Sequence, residues 1–443
     1  MTLLAKSRAR RLEPARRRRE AEYAEGANWS RQERLDWQLA RLNERWRELV
    51  ERIPYYRKLV NDGAAPARFE SWDSFVDRVP VTTKSTVRES GAEMSDPSRP
   101  PEYFRITGGS TAQPVRMPAW NSENEATQPD MWLGRSWYGV RPDSRLFLLW
   151  GHSHLLGSGL RGAVNARIRQ TKDRALGYCR FSAYDLSRAN MRRAVDAMRR
   201  FQPDYVIGYA VALDILARAN EDRAGELRGL NLRAVIGTAE SFPAEDSVDR
   251  LESLFGCPVA MEYGAVETHL IGHTHPDGGY RAFWRNYFIE ATETGPNGGR
   301  ILRVTSLYPR CFPLVRYELG DEIEVSRDEP DGFGVRRFQS VRGRCNAFVT
   351  LADGATVHSE VFTHCVKPTP AVRRYQVVQD GAAIELRLVV DGSPDPDSLK
   401  SEIRDRLARV NPQLESTRLR IVDELEQSTA GKTPMIIVRP PAS

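Results

Sequence analysis

The chain has 443 residues, 40% of them hydrophobic and 28% charged. That length asks for about two or three domains rather than one core, and no apolar run nears the roughly 20 residues of a membrane span. The first 20 residues hold eight Lys/Arg and two Glu, the whole +6 net charge; the rest balances 57 basic residues against 57 acidic.

The positive charge therefore describes a basic helical arm, residues 1–30, and not a basic protein. A solvated helix end is the plainer reading of such a run. No aromatic-and-basic interleaving elsewhere argues for nucleic acid. Arg and Lys near the start are not followed by an apolar stretch, which speaks against a secretory signal. Cys179, Cys257, Cys311, Cys345 and Cys365 are scattered without a C-x-x-C pair. Reduced cytoplasmic thiols suit that spacing better than a disulfide frame or zinc site.

Leu35, Leu39, Leu42, Trp46, Leu49, Val50 and Ile53 fall on one face of a helix that Pro54 closes. A helical N-terminal region is expected to pack on the main domain as far as Val79-Pro80-Val81-Thr82-Thr83-Lys84. Residues 105–114 then bring Thr107, Gly108, Gly109, Ser110 and Thr111 into one loop. Consecutive small residues free backbone N–H groups to point inward, and three hydroxyls add donors, so this loop can cradle phosphates. It lacks the Gly-Lys-Ser/Thr of a Walker A sequence, and small-residue turns are common.

Between 187 and 263 strands alternate with helices. The pattern predicts helices over 187–201, 211–220 and 243–255, and strands over 204–209, 232–237 and 258–262. Such alternation predicts a parallel sheet with helices on both faces. Its strand ends, where open sheets bind ligands, are Gly208-Tyr209, Gly237-Thr238-Ala239-Glu240-Ser241 and Tyr263-Gly264. A Tyr there can lie flat on a purine, and Glu267 stands where a carboxylate can hold Mg²⁺ on phosphates. A strand ending in a polar turn explains the same letters.

After 280 the texture turns to β, with strands expected over 280–291, 300–306 and 314–318. Asp321 follows Gly320, where a carboxylate can accept both hydroxyls of a ribose. Residues 341–346 resemble a connector. A hairpin about Asp380-Gly381, a helix over 397–410 and strands near 419–422 and 435–438 form a small α+β unit. Lys432 stands in a polar loop, 427–433, where a lone Lys is usually just solvated.

Taken together these motifs resemble the adenylate-forming superfamily of acyl-CoA synthetases, nonribosomal adenylation domains and luciferases, and within it the phenylacetate–CoA ligase branch with its capsular-polysaccharide-biosynthesis (CapK)-like proteins. Ile53-Pro54-Tyr55-Tyr56-Arg57 and the 79–84 stretch resemble that branch's N-terminal signatures. Thr107–Thr111 resembles its phosphate loop, 237–241 its adenine loop, and Tyr263-Gly264-Ala265-Val266-Glu267 its Tyr-Gly-x-x-Glu motif. Pro313 to Asp321 resembles its ribose-binding strand, Gly343-Arg344-Cys345-Asn346 its hinge, and Gly431-Lys432 its catalytic lysine.

The resemblance implies an α/β fold in two parts. A large domain, 1–343, would hold a doubly wound, mostly parallel sheet with a β subdomain; a small mobile α+β cap would span 344–443. It implies ATP and Mg²⁺, with Glu267 on the metal, Tyr263 on adenine, Asp321 on the ribose, and Lys432 and Arg344 in catalysis. Asn346 would serve as pivot. A small carboxylic acid would become an acyl-adenylate and pass to CoA or to the phosphopantetheine of a carrier protein. The acid pocket is expected among 132–160, 207–211 and 237–241, with His152, His154, Gly208 and Tyr209 as candidates. Transfer to an amine shares the first half-reaction, a catalytically incomplete nucleotide-binding module is a third reading, and a homodimer remains open. Ala112, Gln113 and Asn346 depart from the family's usual letters, and Asp331-Gly332-Phe333-Gly334 lacks the cysteines of some relatives. His269, His273 and His275 can bind a metal or simply belong to a polar loop.

Overall fold

The structure, a computed structural model, describes residues 3–106, 115–151, 159–183, 185–295, 298–329, 331–342, 348–354, 356–366, 368–369, 371–392, 394–426 and 435–439. It begins with helix α1 (Leu3–Ala27) and α2 (Arg31–Arg52). Ser30 and Glu33 cap α2 reciprocally, the Ser30 hydroxyl accepting from Glu33 N at 3.2 Å and the Glu33 carboxylate accepting from Ser30 N at 2.7 Å. Pro54 ends α2 as expected but also opens α3 (Pro54–Asn61), because its missing N–H costs nothing at a first helical position. Helices α4 (Trp72–Arg78) and α5 (Lys84–Ser90) complete the N-terminal region.

The basic arm is not simply solvated. Arg19 reaches both oxygens of the buried Asp130 at 2.9 and 3.1 Å, Arg16 reaches the Ser136 hydroxyl at 3.3 Å, and Arg8 donates to the Pro142 carbonyl at 2.8 Å. Ala5 and Leu12 are buried on the same helix, whereas Arg17 and Arg18 point to water. Charge counting misses this because arginine stems lie along apolar surface while their heads find partners.

A short hairpin, β1 (Tyr103–Ile106) and β2 (Arg116–Ala119), precedes α6 (Asn121–Ser136). The α/β alternation then runs through β3 (Leu146–Trp150), α7 (Gly159–Leu176), β4 (Tyr178–Ser182), α8 (Arg188–Phe201), β5 (Tyr205–Tyr209), α9 (Ala210–Ala219), α10 (Ala224–Arg228), β6 (Ala234–Thr238), α11 (Ser247–Phe255) and β7 (Val259–Ala265). Strands β4-β3-β5-β6-β7 are parallel in that order. Met191, Leu213 and Leu251, from α8, α9 and α11, bury one face against Phe147, Leu149, Val206 and Val235. Leu12 and Trp132, from α1 and α6, bury the other against Leu146, Tyr205, Ile207 and Ile236. The sheet is therefore doubly wound.

The β region continues this sheet. Strands β8 (His269–Thr274), β9 (Tyr280–Ala282), β10 (Tyr287–Glu290), β11 (Arg300–Ser306), β12 (Tyr317–Val325) and β13 (Arg337–Arg342) add on antiparallel, giving eleven strands in the order β10-β11-β12-β13-β9-β8-β7-β6-β5-β3-β4. The single strand expected over 280–291 is two, and the strand expected from 314 begins at Tyr317, since Arg316 sits at a φ of 46°. The helix expected from 243 starts only at Ser247.

Beyond 347 come β14 (Phe348–Thr350), β15 (Thr356–His358), α12 (Ser359–Val366), β16 (Val372–Asp380), β17 (Ala383–Val390), α13 (Pro396–Val410), β18 (Arg418–Ile421) and β19 (Ile436–Arg439). A four-stranded sheet in the order β18-β17-β16-β19 packs Val377, Leu386 and Leu388 with Leu399, Ile403 and Leu407 in a core of its own. Among the described residues no helix is long and apolar enough to cross a membrane.

Candidate functional site

The strand expected to stop at Glu262 runs on to Ala265 and turns back through Val266–Thr268 into β8. The pairing slips between Tyr263 and Gly264, and Gly264 stands against His269 so closely that a Cβ there would overlap the His269 carbonyl. That bulge, more than a strand end, presents Tyr263 and Glu267. The Thr268 hydroxyl accepts from Ala265 N at 3.0 Å and closes the turn.

One cavity of about 850 Å³ is lined by the 238–241 turn, Tyr263, Gly264, Glu267 and Asp321 together. The volume lies within the usual range for small-molecule sites, about 300–1,000 Å³. Tyr263 O–H donates to Asp321 Oδ2 at 3.0 Å. Burial, then the Asp321 carboxylate, hold this phenol far above its ordinary pKa, so it stays a donor. Asp321 lies inside β12 and not beyond its end; Gly320, at a φ of 89°, lets the strand kink beneath it. In the turn after β6, Ala239 holds a φ of 71°, and Glu240 Oε1 accepts from Val211 N at 3.2 Å in the first turn of α9. The turn is thus fixed to the helix behind it.

Other expected residues fall elsewhere. Gly208 is wedged between Leu149 and Leu213, and Tyr209 is buried behind the cavity with its ring stacked at 4.1 Å on Trp150, which does line it. Neither residue is among those lining the cavity; both lie at the end of β5, a central strand of the sheet. Gly237 abuts Met261. Thr107, Gly108, Gly109, Ser110, Thr111, His152, His154, Arg344, Asn346 and Lys432 lie outside the described residues.

The three histidines are strand residues or immediately follow one. His273 is fully buried, its Nδ1 2.8 Å from the Thr274 carbonyl oxygen, and His275 Nδ1 lies 3.2 Å from Asp277 Oδ2. The His269 ring touches the Arg105 guanidinium; burial and then that cation push its pKa down to about 3. Among the described residues no group of three or more His, Cys, Asp or Glu is set to hold a metal ion. Glu267 is a lone buried carboxylate, accepting from Tyr317 O–H at 3.3 Å. A single carboxylate does not make a protein cage, but it fits a Mg²⁺ that takes its other ligands from water and substrate phosphates.

Sequence reasoning missed several residues here. Lys84, the first residue of α5, places its Nζ 3.7 Å from Glu267 Oε1. The signal was the Thr83 cap, which fixes the start of α5, though not its direction. Asn124, Gln128 and Met131 line the cavity from one face of α6, at i, i+4 and i+7 spacing. Arg105 and Arg310, both buried, hold the Glu267 carbonyl from behind.

Two solved structures of 2-hydroxyisobutyryl-CoA ligase share this architecture. One, with 2-HIB-AMP and CoA in the thioesterification state, has a TM-score of 0.59 at 20% identity over 92% of this chain and 90% of that one. The other, with R3-HIB-AMP in the postadenylation state, has a TM-score of 0.56 at 18% identity over 93% and 90%. The fold is therefore like that of these two ligase structures. Residues 349–439 match the family model described as the CapK C-terminal domain. Protein CapK of Staphylococcus aureus is 22% identical over 239 residues, so the chain spans about half the length of this curated relative (53% of each). The chain is thus similar to the ligase structures in fold and, over residues 349–439, to the CapK C-terminal domain.

Proposed function

We propose that this chain uses ATP to activate a small carboxylic acid and then transfers the acyl group to a thiol. The observation that carries the reading is the single cavity walled by Tyr263, Asp321, the 238–241 turn and Glu267. In the first step a carboxylate oxygen attacks the α-phosphorus of ATP. The bond to the bridging oxygen breaks, and pyrophosphate leaves an acyl-adenylate behind. In the second step a thiolate of CoA or phosphopantetheine attacks the acyl carbon and AMP departs.

Tyr263 offers its ring to the adenine, and Asp321, with one oxygen held by Tyr263, offers the other to the ribose. Lys84 and residues 107–111 supply positive charge and N–H donors for the leaving pyrophosphate. Glu267 would hold Mg²⁺, which supplies Lewis-acid neutralisation of phosphate charge. Lys432 bridges the acid and the α-phosphate, and the 344–443 cap turns about 344–346 to admit the acceptor. The likeness to a CoA ligase fold supports a thiol acceptor over an amine.

The test is acid-dependent exchange of labelled pyrophosphate into ATP across a panel of carboxylic acids. At least one acid should support exchange, and Lys432→Ala should lower it by at least about 100-fold, as expected for loss of a group that stabilises developing charge, while ATP still binds. Full exchange in Lys432→Ala would remove that lysine from the mechanism; no exchange with any acid would sink the reading.

A further inference from the structure

The strongest feature that the reading above leaves unused is a polar cluster buried directly behind Glu267. The Arg105 and Arg310 side chains are 4% and 1% exposed, and that of Glu123 is 0% exposed. Glu123 Oε2 lies 2.9 Å from Arg105 Nη1 and 3.7 Å from Arg310 Nε. Its other oxygen accepts from Trp120 N at 3.0 Å and Cys311 N at 2.9 Å. One carboxylate therefore ties the start of α6, the end of β1 and the 307–316 loop together.

Both guanidiniums then turn to the same acceptor. Arg105 Nη1 donates to the Glu267 carbonyl at 3.4 Å, and Arg310 Nη2 donates to it as well. Arg310 Nη1 also donates to the Tyr308 hydroxyl at 2.9 Å. Tyr308 and Tyr287 hydroxyls lie 2.9 Å apart, and Tyr287 O–H donates to the Thr268 carbonyl. Two successive carbonyls of a three-residue turn are thus held by two guanidiniums and a hydrogen-bonded tyrosine in a buried interior. Charge-assisted bonds there are roughly twice as strong as neutral ones, and an unpaired member is costly to leave.

Such a cluster gains little net stability over apolar packing, so a positional role is the better account of it. We infer that Arg105, Arg310, Glu123 and Tyr287 are positioning residues that set the height of the Glu267 carboxylate at the cavity wall. The cluster also joins that carboxylate to β1, whose last residue precedes the 107–111 loop by one. It fixes the carboxylate and the end of β1 to one frame. This rests on the proposed reading of the cavity as an ATP site.

The experiment compares wild type with Arg310→Met, Arg310→Lys and the milder Tyr287→Phe. Two quantities are read: amide hydrogen exchange over 262–270, and the Mg²⁺ concentration giving half-maximal ATP binding by calorimetry. Groups behind a metal ligand typically matter by about 10- to 100-fold in metal affinity. Arg310→Met should raise the half-saturating Mg²⁺ at least about tenfold and speed exchange in the 262–270 segment. Tyr287→Phe should move both in the same direction by less, and Arg310→Lys should restore part of the loss. Should Arg310→Met fail to fold, Tyr287→Phe alone decides. Unchanged exchange and Mg²⁺ dependence in a folded Tyr287→Phe and any folded Arg310→Met would overturn the inference and leave the ATP reading intact. Failure of the wild type to bind ATP at any Mg²⁺ concentration would remove the reading, and the inference with it.

Discussion

The two halves of the eleven-stranded sheet solve burial differently. In the parallel half, β3, β5 and β6 read Leu-Phe-Leu-Leu-Trp, Tyr-Val-Ile-Gly-Tyr and Ala-Val-Ile-Gly-Thr, with no charged residue, and helices cover both faces. In the antiparallel half, β10, β11, β12 and the residue before β12 bury charged side chains. Arg316 grips the buried Glu290 at 2.8 Å, and Arg303 spans Glu293 at 2.6 Å and Glu318 at 3.2 Å. The first half presents backbone, the 238–241 turn; the second presents side chains, Glu267 and Asp321, held by buried bonds. The cavity lies along their seam at β7. One half sets the shape of the site and the other sets its charge.

The sharpest way to break that contrast is at the glycines. In β7, a Cβ on Gly264 would overlap the His269 carbonyl and lie 2.8 Å from Leu270 Cα, atoms that cannot move without parting the strands. In β6, a Cβ on Gly237 would meet the Met261 sulfur at 2.5 Å, the end of a flexible side chain. Gly264→Ala should therefore cost more than about 4 kcal/mol or prevent folding, an exceptional loss for one methyl. Gly237→Ala should cost about 1–3 kcal/mol. Equilibrium urea unfolding measures both, and equal losses would show the seam to be no tighter than the parallel interior.

Next in size is the ion pair across the seam. Arg135 on α6 holds Glu262 on β7 through Nε–Oε1 at 2.6 Å and Nη2–Oε2 at 3.3 Å, with Glu262 buried and Arg135 largely covered. Burial opposes ionisation of Glu262, but the guanidinium outweighs it and keeps the carboxyl below its ordinary range. Arg135→Met leaves that charge unpaired and should cost about 3–5 kcal/mol, whereas adding Glu262→Leu should recover most of it. A double-mutant cycle by urea unfolding reads the coupling. Strict additivity would mean that the two side chains do not work as a pair.

The same contrast explains what could be read from the letters. Apolar runs punctuated by helices announce parallel strands, so the 204–262 region was legible to within a few residues, as were the hairpin and helix of the C-terminal unit. Motif order, through resemblance, brought Tyr263, Asp321 and the 238–241 turn together. The antiparallel half was harder, because Arg303, Arg316 and Glu290 look like surface residues until their partners, up to 26 positions away, are known. The same blindness hid the docking of the basic arm through Arg19 and Asp130, and the Arg105–Glu123–Arg310 cluster. Local periodicity carries no information about which distant charge a buried charge will meet.

The smallest effect tests whether the antiparallel half holds its charge pattern at the price of acid sensitivity. His269 sits at the seam against Arg105, and with its folded pKa near 3 it is neutral throughout the physiological range. Its unfolded pKa is about 6.5, so the unfolded chain takes up a proton that the folded one refuses. The resulting stability is complete above about pH 6.5 and drains away as pH falls toward 3. Between pH 7.5 and 5.0 the wild type should lose about 1–2 kcal/mol through this group. His269→Gln, which keeps a polar head but cannot titrate, should show a correspondingly flatter dependence. Urea midpoints at the two pH values measure the difference. Parallel pH profiles for the two proteins would mean that the ring accepts its proton in place and that Arg105 does not exclude it.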